Sequence, residues 1–449
     1  MSTKLSFSSF LLIGIMLFAL FFGAGNLIFP AELGQYAGTN FWPAIIGFLI
    51  TGVGLPFLGI LAIGYSGSRN LQDLASRIHP VYAILFTSLL YLTIGPFFAA
   101  PRTGAVAFDI GIATFIPAAY SQIALLIFTL VFFGVTLWLS LNPAKIVDRI
   151  GKYMSPAIIV LLLALLAMAF INPIGSIQAP VDAYKTGAFM EGFTEGYNTM
   201  DALASLVFGI IVIKAIRALG VTDRAQIVSA TVKTGIIASA FLGLLYVGIA
   251  YLGATTTEKF GLFDTGGPVL SGAAAHYFGT TGSVLLAGVI ILACLTTSIG
   301  LMTACGEYFH TLIPSVSYKA FVSVFTVFCF VVANFGLANI IIFSIPVLMF
   351  LYPLAVVLML LTFASKLFNH SRLVYISATA VAFAISIIDG VKTLYGTLGN
   401  TEDQWPTWLS SIVNFYNKVL PFYAEGLGWL LPVLIVMLLT GIIAKVIKI

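Results

Sequence analysis

The chain has 449 residues, of which 60% are hydrophobic and 8% charged, with a mean hydropathy of +1.09. That composition excludes a soluble globule with a polar surface and assigns the chain to the polytopic membrane proteins. The formal net charge of +4 calls for no nucleic-acid partner, because basic loops gathered on one side of a bilayer account for it.

Apolar runs of about 20 residues, the length that a hydrocarbon layer about 30 Å thick requires of a helix, recur along the chain, and twelve are predicted. In order they cover Phe7–Pro30, Phe41–Gly64, Pro80–Ala100, Tyr120–Leu141, Ile150–Ile171 and Gly196–Ile216, then Ile227–Leu252, Ser283–Phe309, Tyr318–Phe335, Ala338–Phe363, Leu373–Gly390 and Leu427–Val446. No low-complexity linker or charge run divides them, so residues 1–449 read as one integral membrane domain. The first run lacks the small-residue cleavage site of a secretory leader and is expected to remain as an anchor.

With the N-terminus inside, the cytoplasmic Lys and Arg residues are Lys4, Arg69, Arg77, Lys145, Arg149, Lys152, Lys214, Arg217, Arg224, Lys319, Lys366, Arg372, Lys445 and Lys448. The opposite face holds Arg102, Lys185, Lys259, Lys392 and Lys418, with Lys233 left over near the start of the seventh helix. This asymmetry places both termini in the cytoplasm.

The first run is interrupted by Gly23-Ala24-Gly25-Asn26. Unwound peptide at bilayer depth is tolerated only where it faces a protein-lined cavity, and half-helix ends of this kind hold anionic groups and cations in secondary transporters. A simple glycine kink is the plainer alternative. If helices one to five (7–172) and six to ten (187–365) form two units, the odd number in each makes them inverted, and the sixth helix should carry a matching interruption. Its apolar part, Leu203–Ile216, is only about 14 residues, too short to cross alone. The polar and aromatic stretch Glu191–Asp201 precedes it, which puts the join near Asn198–Asp201. Helices eleven and twelve (372–447) fall outside the repeat, and Trp405 and Trp408 between them read as interfacial anchors.

The eighth helix contains Thr296-Thr297-Ser298. These hydroxyls can bond back to carbonyls one turn earlier, or they can join unwound carbonyls in holding a small hard cation, which accepts oxygen ligands without formal charge. Asp201 reads as a solute or proton group, or as the N-cap of Leu203–Ile216. Arg102 and Asp109, seven residues apart, read as a pair near the outer vestibule; the alternative for Arg102 is a carboxylate arriving from outside. Glu307 either lines the inward path or ends a helix at the interface. Asp264–Phe278 reads as an external lid in which His276 is a loop residue. Cys294, Cys305 and Cys329 lie within apolar helices at no metal-ligand spacing, which argues against a disulfide or zinc framework. No phosphate-cradling loop, HExxH helix or nucleophile elbow points to an enzyme.

The segments Ala19–Pro30, Gly95–Thr103, Gly196–Gly209 and Ala293–Glu307 together resemble the branched-chain amino acid:cation symporter family of bacteria, and more distantly the sodium symporters of the leucine-transporter fold. The resemblance covers almost the whole chain. It implies an all-helical integral membrane protein of twelve transmembrane helices, a 5+5 inverted repeat with two further helices, and discontinuous helices one and six. The implied activity is uptake of leucine, isoleucine or valine with sodium across the bacterial cytoplasmic membrane by alternating access, without an organic cofactor. By similarity, the sodium ligands would be the carbonyls of Ala19, Phe22 and Ala293 and the hydroxyls of Thr296 and Thr297. The solute carboxylate would lie against the N–H groups of Gly23, Ala24 and Gly25, with Asn26 nearby. Its ammonium would meet carbonyls around Phe21, Asn198 and Thr199, with Asp201 beside them, and Leu301 would line the side-chain pocket. Lys233 stands where relatives with a second sodium carry an asparagine; its ammonium replaces that ion or snorkels to the interface. A proton-driven carrier titrating at Asp201 or Glu307 is the alternative, ahead of a channel or a membrane-embedded enzyme.

Overall fold

A helix in hydrocarbon must bond its own peptide groups, so a chain this apolar has helices as its only regular elements unless strands close into a barrel. The computed structural model describes residues 6–141 and 147–447, and no strand occurs among them. The order is α1 (Phe7–Phe21), α2 (Ala24–Ala37), α3 (Phe41–Leu49), α4 (Leu55–Ser66), α5 (Leu71–Ala75), α6 (Pro80–Leu92), α7 (Ala99–Gly111), α8 (Ser121–Ser140) and α9 (Val147–Ile171). It continues with α10 (Tyr184–Glu195), α11 (Asp201–Ala218), α12 (Arg224–Phe260), α13 (Gly267–Leu312), α14 (Tyr318–Ala333), α15 (Leu337–Ala364), α16 (Arg372–Thr397), α17 (Thr407–Val419) and α18 (Leu430–Ile447). Among the described residues, eight helical runs are long and apolar enough to cross a bilayer, or nine when Tyr184–Thr199 and Asp201–Ala218, bent by 45°, count as one. Shorter apolar helices are Phe7–Phe21, Ile159–Ile171 and Tyr318–Ala333. The positions of Lys4, Lys145 and Lys448, and the side chains of Arg149 and Lys152, lie outside what is described.

Two of the breaks fall where the residues predict them. The N–H of Phe22 closes α1 on the Phe18 carbonyl at 2.8 Å, and α2 starts at Ala24 after an extended Gly23. In the sixth run the helix tightens through Gly196–Thr199 and Met200 takes φ 63°, before α11 starts at Asp201. A third break was not anticipated. Between α6 and α7 the backbone leaves helical geometry at Gly95 (φ −94°, ψ −119°), followed by Pro96, which has no N–H to give. The thiol of Cys305 fills that kink and donates to the Tyr91 carbonyl at 3.3 Å.

The halves are locked by small residues. A Cβ on Gly34 or Gly253 would run into the Ala250 or Ala31 carbonyl, so α2 and α12 pack backbone to backbone; Gly47 and Gly192 do the same for α3 and α10, against Phe189 and Ala44. α11 lies on α4, α7 on α13, and α15 on α16. The segment read as a lid opens α13 as a helical piece turned by Gly279 (φ 62°), with Gly266 pressed on the Ile28 carbonyl. His276 is on that helix, exposed. Trp408 is exposed on the amphipathic α17, and Trp405 before it is half-buried.

Because the atoms facing Gly34 are backbone, they cannot yield to a side chain. Gly34→Ala is expected to cost about 1–3 kcal/mol or more, seen as loss of the monodisperse peak in size-exclusion chromatography. Gly288→Ala, which meets open space, should run as the parent does.

Candidate functional site

Each helix end leaves four peptide groups without an internal partner, so the breaks collect polar atoms that need partners. Asn26 deals with part of this on the α2 side. Its Oδ1 accepts the Gly23 N–H at 2.8 Å, while its Nδ2 donates to Asp201 Oδ2 at 2.5 Å and to the Tyr246 hydroxyl. Tyr246 in turn donates to the same Asp201 oxygen at 2.9 Å. One asparagine thus caps the first break and ties it to the second. Asp201, 4% exposed, opens α11, and its N–H donates to Thr199 Oγ1 at 3.3 Å. The carboxylate expected against Gly23–Gly25 therefore has the N–H groups of Ala24 and Gly25 at the start of α2, since that of Gly23 is already taken.

Arg102 corrects the reading made from sequence. It is 3% exposed, not at the outer face, and it makes no ion pair with Asp109; among the described residues the ion pairs within 4.0 Å are Arg69–Asp73 and Lys392–Asp389. Its Nη1 donates to the Asn198 carbonyl at 2.7 Å and its Nη2 to the Thr199 carbonyl at 3.2 Å. The guanidinium lies over the Phe29 ring, 5.1 Å from its centroid. The Gly95–Pro96 break is what ends α6 and lets α7 start afresh with Arg102 in its first turn. Arg102 and Asp109 do share the continuous α7, as the seven-residue spacing assumes, but the guanidinium turns to carbonyls of the sixth span, which spacing along one helix does not reveal. The pairing partner it named, Asp109, lies instead beside Phe263, Asp264 and Thr265.

A cavity of about 40 Å³ lies here, lined among others by Phe21, Gly23, Ala24, Gly25, Asn26, Arg102, Thr199, Met200, Asp201, Phe208, Thr297 and Leu301. That is room for a few water molecules. Of the residues expected to touch an amino acid, Asn198 alone lies off the wall, its carbonyl held by Arg102. Lys233 is elsewhere: it is exposed, its ammonium over the Phe10 ring at 4.9 Å from the centroid. Glu307 is exposed too, at the far end of a half-buried strip through Thr296, Gly300 and Thr303.

The five oxygens expected to hold sodium fall into two groups. Gly23 gives its N–H to Asn26 rather than to Ala19, one turn back, and α1 ends at Phe21, so the carbonyls from Ala19 to Phe22 lie at a helix end whose carbonyls lack helical donors. On α13, Thr296 Oγ1 and Thr297 Oγ1 donate to the Ala293 carbonyl at 2.8 and 3.1 Å. The back-bonding reading is thus correct for both protons. It leaves the hydroxyl lone pairs free, and Thr297 faces the break: a Cβ on Gly23 would be 3.2 Å from its Oγ1. Sequence reasoning had no signal for Tyr246, one of two tyrosines in the apolar α12, or for the positive φ of Met200.

Comparison with known proteins places this geometry in context. A family profile described as branched-chain amino acid transport protein matches residues 6–447. The chain is 48% identical over 422 residues to the branched-chain amino acid permease BraB of Bacillus subtilis strain 168, covering 94% of this chain and 92% of that one. It is 41% identical over 440 residues to the branched-chain amino acid transport system 2 carrier protein of Pseudomonas aeruginosa, covering 97% and 96%. Among solved structures, the inward facing conformation of Mhp1 superposes with a TM-score of 0.60 at 16% identity, over 97% of this chain and 90% of that chain. MhsT in complex with L-phenylalanine gives 0.57 at 16% identity, over 88% and 100%. At that identity the likeness is one of fold, the leucine-transporter fold.

Tyr246→Phe leaves Asp201 one donor short in a buried setting. The expected loss is about 1–3 kcal/mol, measured as a lower thermal unfolding midpoint of the purified protein in detergent.

Proposed function

The chain belongs to the branched-chain amino acid transport protein family, and on that premise we propose that it imports leucine, isoleucine and valine with sodium across the bacterial cytoplasmic membrane. Its family and relatives are permeases, not enzymes. The observation that carries sodium coupling is the approach of Thr297 Oγ1 to Gly23, which sets a hydroxyl against a helix end with undonated carbonyls. Ala19, Phe22, Ala293, Thr296 and Thr297 would supply neutral oxygens to the cation, as unwound carbonyls do in such carriers. No organic cofactor takes part. An ion bridging α1 and α13 would order the unwound peptide beside the amino acid, and each ligand would then raise the affinity for the other. The electrical part of the driving force is about 2.3 kcal/mol per charge per 100 mV.

The architecture proposed is twelve spans with both termini in the cytoplasm, the repeat units being residues 7–172 and 187–365 and the extra pair 372–447. Spans one to seven are α1 with α2, α3 with α4, α6 with α7, α8, α9, α10 with α11, and α12; α13, α14, α15, α16 and α18 are eight to twelve. Their packing supports the repeat. Span one lies on seven, and six on two; span five lies on eight, and ten on three; span five lies on seven, and ten on two. Adding or removing five turns each pair into its mate. A cavity of about 40 Å³ is far below the roughly 300–1,000 Å³ of ordinary ligand pockets, so solute would enter only when the broken spans swing apart, as alternating access requires.

A proton-coupled reading has one observation in its favour: Asp201 is a buried carboxylate inside the network that joins the two breaks. Uptake of labelled leucine into proteoliposomes at fixed pH, with sodium replaced by choline, separates the two. Sodium coupling predicts that uptake collapses in choline and that Thr297→Ala raises the half-saturating sodium concentration by about 10-fold, the equivalent of ~1.4 kcal/mol. Unchanged uptake in choline would leave Asp201 as the coupling group.

A further inference from the structure

Among the described residues Arg102 is the single buried Lys or Arg. A cation at this depth is expensive and is kept where it meets substrate, ion or a partner charge. Its hydrogen bonding is incomplete, because Nε is buried without a partner while only Nη1 and Nη2 reach carbonyls. The weaker of the two contacts is that to Thr199, at 3.2 Å. On its other side the guanidinium approaches the start of α2 so closely that a Cβ on Gly25 would be 2.8 Å from Nη2. Glycine there lets a planar fork of donors stand beside the N–H groups and positive dipole end of a helix, an arrangement suited to a carboxylate. Across the same cavity stands Asp201. One buried cation and one buried anion on separate elements match the two charges of a zwitterion.

We propose that Arg102 is the carboxylate anchor of the amino-acid site, and that it trades its bond to the Thr199 carbonyl for the solute carboxylate. This rests on the amino-acid reading above. The exchange frees the Thr199 carbonyl, beside Asp201, for the ammonium group, so one arginine binds the solute and unlatches the sixth span. Without solute, the guanidinium stands in for that ammonium and holds α7 to the break.

The test is equilibrium binding of labelled leucine to the purified protein, with leucine, leucinamide and 3-methylbutylamine as competitors. The parent should prefer leucine over both amines by about 100-fold. Arg102→Gln should lose about 100-fold in leucine affinity, the order expected for truncating one partner of a buried charge contact, and its preference for leucine over leucinamide should fall to within about 3-fold. Arg102→Lys, which keeps the charge without the fork, should recover part of the preference. Should the arginine variants fail to fold, Gly25→Ala displaces the guanidinium and is expected to erode the same preference. A folded Arg102→Gln or Gly25→Ala protein that discriminates as the parent does overturns the proposal. Absence of leucine binding in the parent would instead overturn the amino-acid reading.

Discussion

Everything in this structure follows from one constraint: peptide groups unwound inside a bilayer must find partners within the protein. Three spans are broken, and side chains from one break satisfy another. Asn26 holds the Gly23 N–H and reaches Asp201. Arg102, released by the Gly95 break, holds the carbonyls of Asn198 and Thr199. Cys305 takes the carbonyl that the Gly95 kink leaves over at Tyr91. The three interruptions therefore form one hydrogen-bonded unit rather than three local defects.

Such a unit transmits movement because its members cannot relax independently. In a low-dielectric interior an unpaired polar group is costly, so a shift of α2 that disturbs Asn26 is felt at Asp201 and, through the Thr199 backbone, at Arg102. The close glycine contacts of α2 with α12 and of α3 with α10 pack the flanking helices as pairs, backbone to backbone. Such pairs joined by a polar hub at their breaks are what a two-state carrier needs: small changes at the hub become large ones at the helix ends.

The threonine pair shows how one chemistry serves two readings. Both hydroxyls bond back to Ala293, as serine and threonine in apolar helices commonly do, and that bond also aims their lone pairs. Back-bonding fixes the rotamers, and it leaves Thr297 Oγ1 beside Gly23 at the neighbouring break.

The membrane class, most of the spans and the two breaks at Gly23 and Asn198–Asp201 are legible in the residues, because hydropathy, glycine and a shortened apolar run are local signals read along one helix. The Gly95-Pro96 pair was just as local a signal, and reading it as a break would have put Arg102 in the first turn of a new helix. Which break each polar side chain serves is set by packing between the helices. Asn26 meets Tyr246, and Arg102 meets Thr199, across distances in the chain that no periodicity encodes. Lys233 and Arg102 are both cations in apolar surroundings, yet one is exposed over the Phe10 ring and the other is buried. What separates them is the kink at Gly95 and the missing side chain at Gly25, that is, space and direction, which packing alone assigns.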